Sequence, residues 1–150
     1  MAEKQGMNIL ALDLGAATGI AVNLFGKVSA NERESSVIEF YAWLCKTVGA
    51  YRMVAYEQPM KCPSIEATRQ LMHREAAVRF ACEAHGVPYV HPSPSEIKKH
   101  MTGKGNARKP AMVTAARIRF KIKRKLTDNE ADALGVLAWT MDHWEEVRQA

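Results

Sequence analysis

Two carboxylates stand at the ends of apolar segments, where burial alone does not account for them. Asp13 ends the segment ILALD, in which Ile9 and Ala11 would share its face of a β-strand. An unpaired carboxylate in such a strand costs several kcal/mol, so we expect a compensating partner. The alternative is a turn residue whose side chain bonds to the amides of the following hairpin. Glu57 ends a second apolar segment, MVAYE, at a position that in open α/β sheets often faces a ligand crevice.

More acids open the last predicted helix, in the stretch LTDNEADALG. Thr127 and Glu130 match the S/T-x-x-E capping box, which assigns Glu130 to the helix start. Asp128 lies in the first turn, where the helix dipole favours a negative charge. Asp132 has no such role, and it shares the inward helix face with Asp128 and Gly135. Like charges one turn apart repel, and a bound divalent cation would reverse that penalty.

Taken together, these carboxylates have the chemistry of a site for a hard metal ion. They lack nearby Cys or His pairs, and such a set suits Mg²⁺ or Mn²⁺ rather than Zn²⁺. Because Mg²⁺ takes only one or two protein carboxylates per ion, two ions are predicted to share four ligands: Asp13, Glu57, Asp128 and Asp132. Two neighbouring metal ions activate water and stabilise the leaving oxygen in phosphodiester cleavage.

The positive charge of the chain is concentrated in one segment. Residues 96–125 contain eleven Lys or Arg and one acid, whereas the rest of the chain holds ten basic and fifteen acidic residues. A basic segment on a mildly acidic body favours a face that binds a polyanion. A solvated surface remains the alternative, because charge density defines a sign and not a partner.

The elements that position these residues follow an α/β layout. NILALDLG and GIAVNLF predict a β-hairpin, and RMVAYE and VPYV predict two further strands. Capping residues and spacing predict helices over residues 35–49, 64–85 and 128 to about 147, and shorter ones in SPSEIKKHM and KPAMVTAARIRF. The expected fold is a mixed β-sheet flanked by helices.

Length and composition bound the class of protein. With 150 residues, 47% of them hydrophobic, residues 1–150 are expected to form one domain with its own core. No apolar run approaches the ~20 residues that span a bilayer, and MAEKQGMNIL lacks the apolar stretch of a secretory signal. Three cysteines without a C-x-x-C pair suit reduced thiols, so a cytoplasmic location without a membrane partner is expected, in a bacterium or a phage-infected host.

Four blocks of the sequence resemble the RuvC-type Holliday-junction resolvases, in order and in approximate spacing. They are ALDLGAATGIAV, VAYEQP, SPSEIKKHMTGKGNARKPAMV and TDNEADALGVLAW. The likeness runs from about residue 8 to residue 139 and is greatest to short phage and prophage members. It implies an RNase H-like fold, a homodimer, and Mg²⁺- or Mn²⁺-dependent cutting of branched DNA by symmetric nicks. The implied substrates are four-way junctions, with flaps as a further candidate.

The resemblance also implies roles for individual residues. By motif, the metal carboxylates of the family correspond to Asp13, Glu57 and Asp132. Bacterial members usually place their remaining acid three residues before the last one, and here Asn129 occupies that position. Asp128, four residues before, lies on the right helix face and is assigned as the fourth ligand, with Glu130 left open as the other choice.

The basic loop GKGNARK resembles the family's loop that contacts phosphate near the scissile bond. Lys104 and Lys109 map onto it, and Lys109 is included with the catalytic set. The segment EQPMKCP has no aromatic after the strand Glu, where family members stack a side chain at the junction centre, which predicts weaker junction selectivity. QLMHREAAV likewise replaces a glycine-containing segment. The predicted DNA-binding residues are Met60, Lys61, Lys98, Lys99, Lys104, Arg108 and Lys109.

Three other functions are compatible with parts of the sequence. A non-catalytic module for branched DNA would use Lys98, Lys99 and RIRFKIKRK, whose alternation also suits a strand with a solvated face. An RNA-directed nuclease of the same fold is the second. A sugar-kinase or actin-like ATPase is the third, although that fold needs a second lobe for which 150 residues leave no room.

Overall fold

A mixed β-sheet with helices on both faces forms the structure, as the sequence predicts. The computed structural model describes residues 6–150. Its strands are β1 (Ile9–Asp13), β2 (Ala17–Leu24), β3 (Lys27–Glu34), β4 (Met53–Tyr56) and β5 (Tyr89–Val90). Its helices are α1 (Val37–Thr47), a 3-10 turn (Val48–Ala50), α2 (Ile65–His85), α3 (Pro94–Thr102), α4 (Lys109–Phe120), α5 (Asp128–Asp142) and α6 (Trp144–Val147).

The order of strands across the sheet is β3-β2-β1-β4-β5. β1 and β2 form the predicted antiparallel hairpin, with Asp13 opposite Gly19. β1 and β4 run parallel, with Leu12 opposite Tyr56, and β4 and β5 are also parallel. Because parallel strands end at the same edge, the residues that follow β1 and β4 lie side by side.

β3 is an edge strand that the sequence did not predict. Phe25 and Gly26 both have positive φ, 52° and 84°, which is the backbone of a type I′ hairpin turn between β2 and β3. The strand KVSANERE is mostly polar, and only Val28 and Ala30 pack against the core. Charged side chains on an exposed edge discourage pairing with other chains, so the missing apolar pattern has a structural reason.

Alternation along β1 divides the interior into two layers. Ile9 and Ala11 pack against α5, while Leu10 and Leu12 pack on the opposite face against α1 and α2. α5 is apolar on nearly every side, because the sheet lies under it and α3 and α4 cover it. Asp13 follows Ile9 and Ala11 in the alternation, as predicted from its spacing, and that face is the one that α5 covers.

Helix boundaries follow the capping residues. Ser64 and Gly86 enclose α2 as predicted, with Gly86 in the left-handed region. The expected helix over 35–49 is shorter, because Ser36 is its cap and the backbone tightens into the 3-10 turn after Thr47. The last predicted helix is interrupted at His143, whose ψ of 17° ends α5 before α6 begins.

RIRFKIKRK is not a strand, which corrects that alternative from the sequence. Ile118 and Phe120 belong to α4, and Lys121 ends the helix in the left-handed region at φ 54°. None of the helices in the described part of the chain is long and apolar enough to cross a membrane. The prediction that a secretory signal is absent rests partly on residues 1–5, which lie outside the described residues.

Candidate active site

Three of the predicted carboxylates converge at one edge of the sheet. Asp13 is the last residue of β1, and Glu57 follows β4 directly, where its backbone N–H donates to the carbonyl of Leu12 at 3.4 Å. Asp132 lies one turn into α5, over the same edge. The parallel pairing of β1 and β4 therefore brings together side chains that are 44 positions apart in the chain.

The electrostatics of this edge are those of buried carboxylates whose charge is only partly compensated. Burial, together with the charges of Asp132 and Glu57, raises the pKa of Asp13 to about 8. Burial and the charge of Asp132 together raise the pKa of Glu57 to about 7. The pKa of Asp132 is raised as well, mainly by burial. Asp132 thus makes the ionisation of both Asp13 and Glu57 less favourable.

Two lysines oppose this accumulation of negative charge. Lys109, at the start of α4, lowers the pKa of Asp13 and of Asp132. Lys98, in α3, lowers that of Glu57 and of Asp132. Both line a cleft of about 450 Å³ whose walls are Glu57, Pro94, Ile97, Lys98, Asn106, Ala107, Arg108, Lys109, Met112 and Asp132. An anionic ligand in this cleft would lie between the lysines and the carboxylates.

The last two acids of the helix start have separate environments. Glu130 accepts from the backbone of Thr127 in the predicted capping box and forms a 2.6 Å ion pair with Arg124, so the helix start and this arginine occupy it. Asp128 has a side chain 52% exposed, and its Oδ2 lies 3.8 Å from Nζ of Lys109. Asp128 raises the pKa of Asp132 and is not among the groups that shift the pKa of Asp13. It lies at the rim of the site.

A second, more apolar cleft of about 280 Å³ adjoins the first at Glu57. Asp13 and Glu57 form its polar end, and Met60 and Lys61 lie in its wall, with Met60 57% exposed. The rest of its lining consists of Leu14, Gln58, Pro59, Cys62, Pro63, Leu71 and Pro94. The segment after the strand Glu therefore borders the acids, as the sequence comparison with junction resolvases implies, but presents a thioether and an ammonium instead of a ring.

Not every predicted basic residue lines the larger cleft of about 450 Å³. Arg108 and Lys109 line it, whereas Lys99 and Lys104 are outside its lining. Lys104 sits in a turn whose backbone N–H and carbonyl both bond to the hydroxyl of Thr102. Of the lysines in this segment, Lys98 rather than Lys104 stands with Lys109 beside the acids. Lys98 is within α3, whereas Lys104 follows the end of that helix.

Some of the positive charge in the last turn of α4 and in the loop that follows it has structural partners. Arg117 donates to the carbonyls of Ile122 and Lys123, at 3.3 and 2.7 Å. Arg124 donates to the carbonyl of Ala30 as well as to Glu130. These arginines join the loop to its own backbone and to β3, so they are less available for a polyanion than the charge count suggests.

One acid near the site was missed from the sequence. Glu32 lies on β3, and its carboxylate accepts a hydrogen bond from the side-chain amide of Asn129 at the start of α5. Its negative charge also raises the pKa of Asp13. Alternation in KVSANERE puts Glu32 on the face of Val28 and Ala30, and this signal becomes useful only once the segment is known to be a strand.

The carboxylates fit a hard divalent cation better than a soft one. Among the described residues, no three His, Cys, Asp or Glu side chains are grouped closely enough to hold a metal ion by themselves. The donors are carboxylate oxygens on two strands and a helix, next to a cleft that is open to solvent. Mg²⁺ is usually held by one or two carboxylates, with water and substrate phosphate completing its coordination.

The order of strands, with α5 packed across β1 and β2, defines an RNase H-like fold of the RuvC type. The chain is similar to the solved structure of Thermus thermophilus RuvC, with a TM-score of 0.76 and 20% identity over 93% of this chain and 96% of that one. It is also similar to T. thermophilus RuvC in complex with a Holliday junction substrate, with a TM-score of 0.78 and 18% identity over 93% and 95%. No protein-family model matches the sequence, and no curated protein matches it either.

Proposed function

We propose that this protein is a divalent-metal-dependent endonuclease that cuts branched DNA, resolving Holliday junctions by paired hydrolysis of phosphodiester bonds. The observation that carries the proposal is the convergence of Asp13, Glu57 and Asp132 beside a cleft lined by Lys98 and Lys109. Shared fold with a protein solved in complex with a Holliday junction adds support. Residues 1–150 are proposed to act as one nuclease domain.

Mg²⁺ or Mn²⁺, two ions per site, would supply the Lewis acidity that prepares an attacking water and stabilises the leaving oxygen. Asp13 and Asp132 would hold one ion, and Glu57 would reach towards the second. Asp128 is proposed as the fourth ligand from the rim. Repulsion among the buried carboxylates supports a metal site at Asp13 and Asp132, because a bound cation removes the cost of ionising them.

The lysines would act on the substrate itself. Lys98 and Lys109 are positioned to neutralise the phosphate at the point of cleavage, where fixed charges in a partly buried site are most effective. The proposed path for the rest of the DNA backbone runs over the neighbouring basic and loop residues, which are Met60, Lys61, Lys99, Lys104 and Arg108. Because Met60 stands where an aromatic would stack, preference for four-way junctions over flaps is expected to be modest.

Symmetric nicking requires two sites, so we also propose a homodimer. An apolar groove of about 290 Å³ between α1 and α2 supports it, lined by Val37, Ile38, Tyr41, His73, Ala76, Ala77 and Phe80. Ile38 and Phe80 are 77% and 62% exposed. Contiguous exposed apolar side chains of this kind mark interaction surfaces, and a second copy is the partner that paired cuts call for.

The test is cleavage of a labelled, immobile four-way junction, a flap, a plain DNA duplex and an RNA duplex, each with EDTA, Mg²⁺ or Mn²⁺. We expect paired nicks in the junction that require metal. Asp13→Asn, Glu57→Gln and Asp132→Asn should lower the cleavage rate about a thousandfold or more while junction binding persists. Glu34→Gln, a matched substitution on β3, should leave the rate unchanged.

Other outcomes would point elsewhere. A junction that is bound but never cut in either metal would contradict the proposal and indicate a binding module. Faster cutting of the RNA duplex than of any DNA would indicate a nuclease of the same fold directed at RNA.

Asp128→Asn is expected to lower the cleavage rate less than Asp132→Asn does, since Asp128 is exposed and at the rim.

A further inference from the structure

Three positions form a row across the sheet on the face that α5 covers. Asp13 of β1 is opposite Gly19 of β2, and Gly19 is opposite Glu32 of β3. Residues opposite each other on adjacent strands point to the same face. The row therefore has a carboxylate at each end and no side chain in the middle.

The gap at Gly19 is filled by the backbone of α5. A Cβ atom at Gly19 would overlap the carbonyl of Asn129, and the Cβ of Asn129 would be 3.2 Å away. The first turn of α5 thus rests directly on β2, between Asp13 and Glu32. A glycine is required there because helix and strand approach more closely than any side chain permits.

A side-chain contact holds this turn on the sheet. The side-chain amide nitrogen of Asn129 donates to the carboxylate of Glu32. Glu32 is on β3, so Gly19 of β2 lies between it and Asp13 of β1. Asn129 precedes Asp132 by three residues, about one helical turn. Any shift or rotation of this turn would move the Asp132 carboxylate relative to Asp13.

We propose that Glu32 is a positioning residue of the proposed metal site, acting through Asn129 to hold the first turn of α5 and thereby the spacing between Asp132 and Asp13. The inference rests on the proposed function, since it concerns the same carboxylates. Outer groups that orient metal ligands typically contribute 10–100-fold to metal affinity. The effect of Glu32 on the pKa of Asp13 is consistent with its nearness to the site.

The experiment measures Mn²⁺ affinity by electron paramagnetic resonance of the free ion, which requires no cleavage. Glu32→Ala and Asn129→Ala should each weaken Mn²⁺ binding about tenfold. Glu32→Gln should bind Mn²⁺ with near wild-type affinity, because the amide oxygen of the new glutamine still accepts from Asn129. The double variant Glu32→Ala/Asn129→Ala should be no weaker than either single variant, since both break one contact. Glu34→Ala, two residues along β3, is the matched control.

Several results would overturn the inference while leaving the proposed function intact. One is a folded Glu32→Ala protein that binds Mn²⁺ within twofold of wild type while Asp13→Asn does not bind it. Another is equal weakening by Glu32→Gln and Glu32→Ala, which would mean that charge and not the hydrogen bond matters. If Glu32→Ala fails to fold, comparison of Asn129→Ala with Glu32→Gln decides the same question. A wild-type protein that binds no Mn²⁺ would overturn the proposed function, and the inference with it.

Discussion

At the scale of residues, the behaviour of the site follows from burying carboxylates near one another. Asp13 lies at the end of a strand whose other residues belong to the core, so its ionisation is opposed first by burial and then by Asp132 and Glu57. Lys98 and Lys109 offset only part of that cost. Such groups bind protons readily, so binding of the proposed metal ions should release protons and weaken as pH falls.

The first prediction concerns the pH dependence of stability in EDTA. The pKa of Asp13 is about 8 in the folded state against an ordinary value of 3.8, so the folded state retains a proton that the unfolded state releases. The free energy of unfolding should therefore decrease as pH rises from about 4 to about 8. Asp13→Asn removes this loss, and should make the protein more stable than wild type at pH 8, by at most about 5 kcal/mol, and nearly equal to it at pH 4.

Urea unfolding at both pH values, with Glu34→Gln as a control, measures the effect. A stabilisation by Asp13→Asn that is the same at pH 4 and pH 8 would contradict the assigned cause. Added Mn²⁺ should reverse the order at pH 8, because it stabilises only a protein that retains the carboxylate.

At the scale of elements, α5 determines where the site is. It presents Asp132 to the sheet, and its close approach depends on residues without side chains. At Gly135, a Cβ would lie 3.0 Å from Ile97 of α3 and from Met112 of α4, so those helices also pack tightly on α5. At Gly19 the approach is closer still, because the neighbour is backbone. The helices that carry Lys98 and Lys109 are thus placed by their contact with the helix that carries Asp132.

Gly19→Ala tests the closeness of this packing. The new methyl group would collide with the carbonyl of Asn129, and a helix backbone cannot move aside as a flexible side chain can. We expect the free energy of unfolding to fall by about 3 kcal/mol. Urea denaturation measures this, with Gly49→Ala as the control, since nothing lies within 4 Å of a Cβ there. Equal effects of the two substitutions would mean that β2 and α5 are not held in contact at this point.

At the scale of the whole molecule, the edge where β1 and β4 end is bordered by two clefts of different character. The larger carries Lys98, Arg108 and Lys109, and the smaller is mostly apolar. The groove between α1 and α2 lies on the other face of the sheet from α5, since those helices pack on the opposite layer. A partner bound in that groove would lie on the opposite face of the sheet from α5.

Light scattering over a range of concentrations tests the homodimer. We expect a wild-type mass of twice 16.7 kDa. Phe80→Asp, which places a charge in the apolar groove, should give a monomer because burying an unpaired carboxylate is costly. Ile118→Asp is the matched control, because Ile118 is 73% exposed on α4 and outside the groove. A wild-type monomer at every concentration would contradict paired nicking by a dimer.

Local features of the site were accessible from the sequence. Alternation in ILALD assigned Asp13 to the face of Ile9 and Ala11, and the pattern around Thr127 assigned Glu130 to the helix cap. Both inferences depend on residues a few positions apart, whose relative placement is set by strand and helix geometry. β3 was missed because an exposed edge strand needs few apolar residues, so its periodicity is weak.

By itself, therefore, the sequence determined the acids, their elements, the mixed sheet and the basic segment. Only the tertiary structure decided that Lys98 and Lys109 line the cleft beside the acids and that Lys104 does not. It also decided that Asp128 lies at the rim. It alone revealed Glu32, which contacts Asn129 across 97 positions of the chain. The physical reason is that such contacts arise from strand order and from the closeness of helix packing, which local periodicity does not encode.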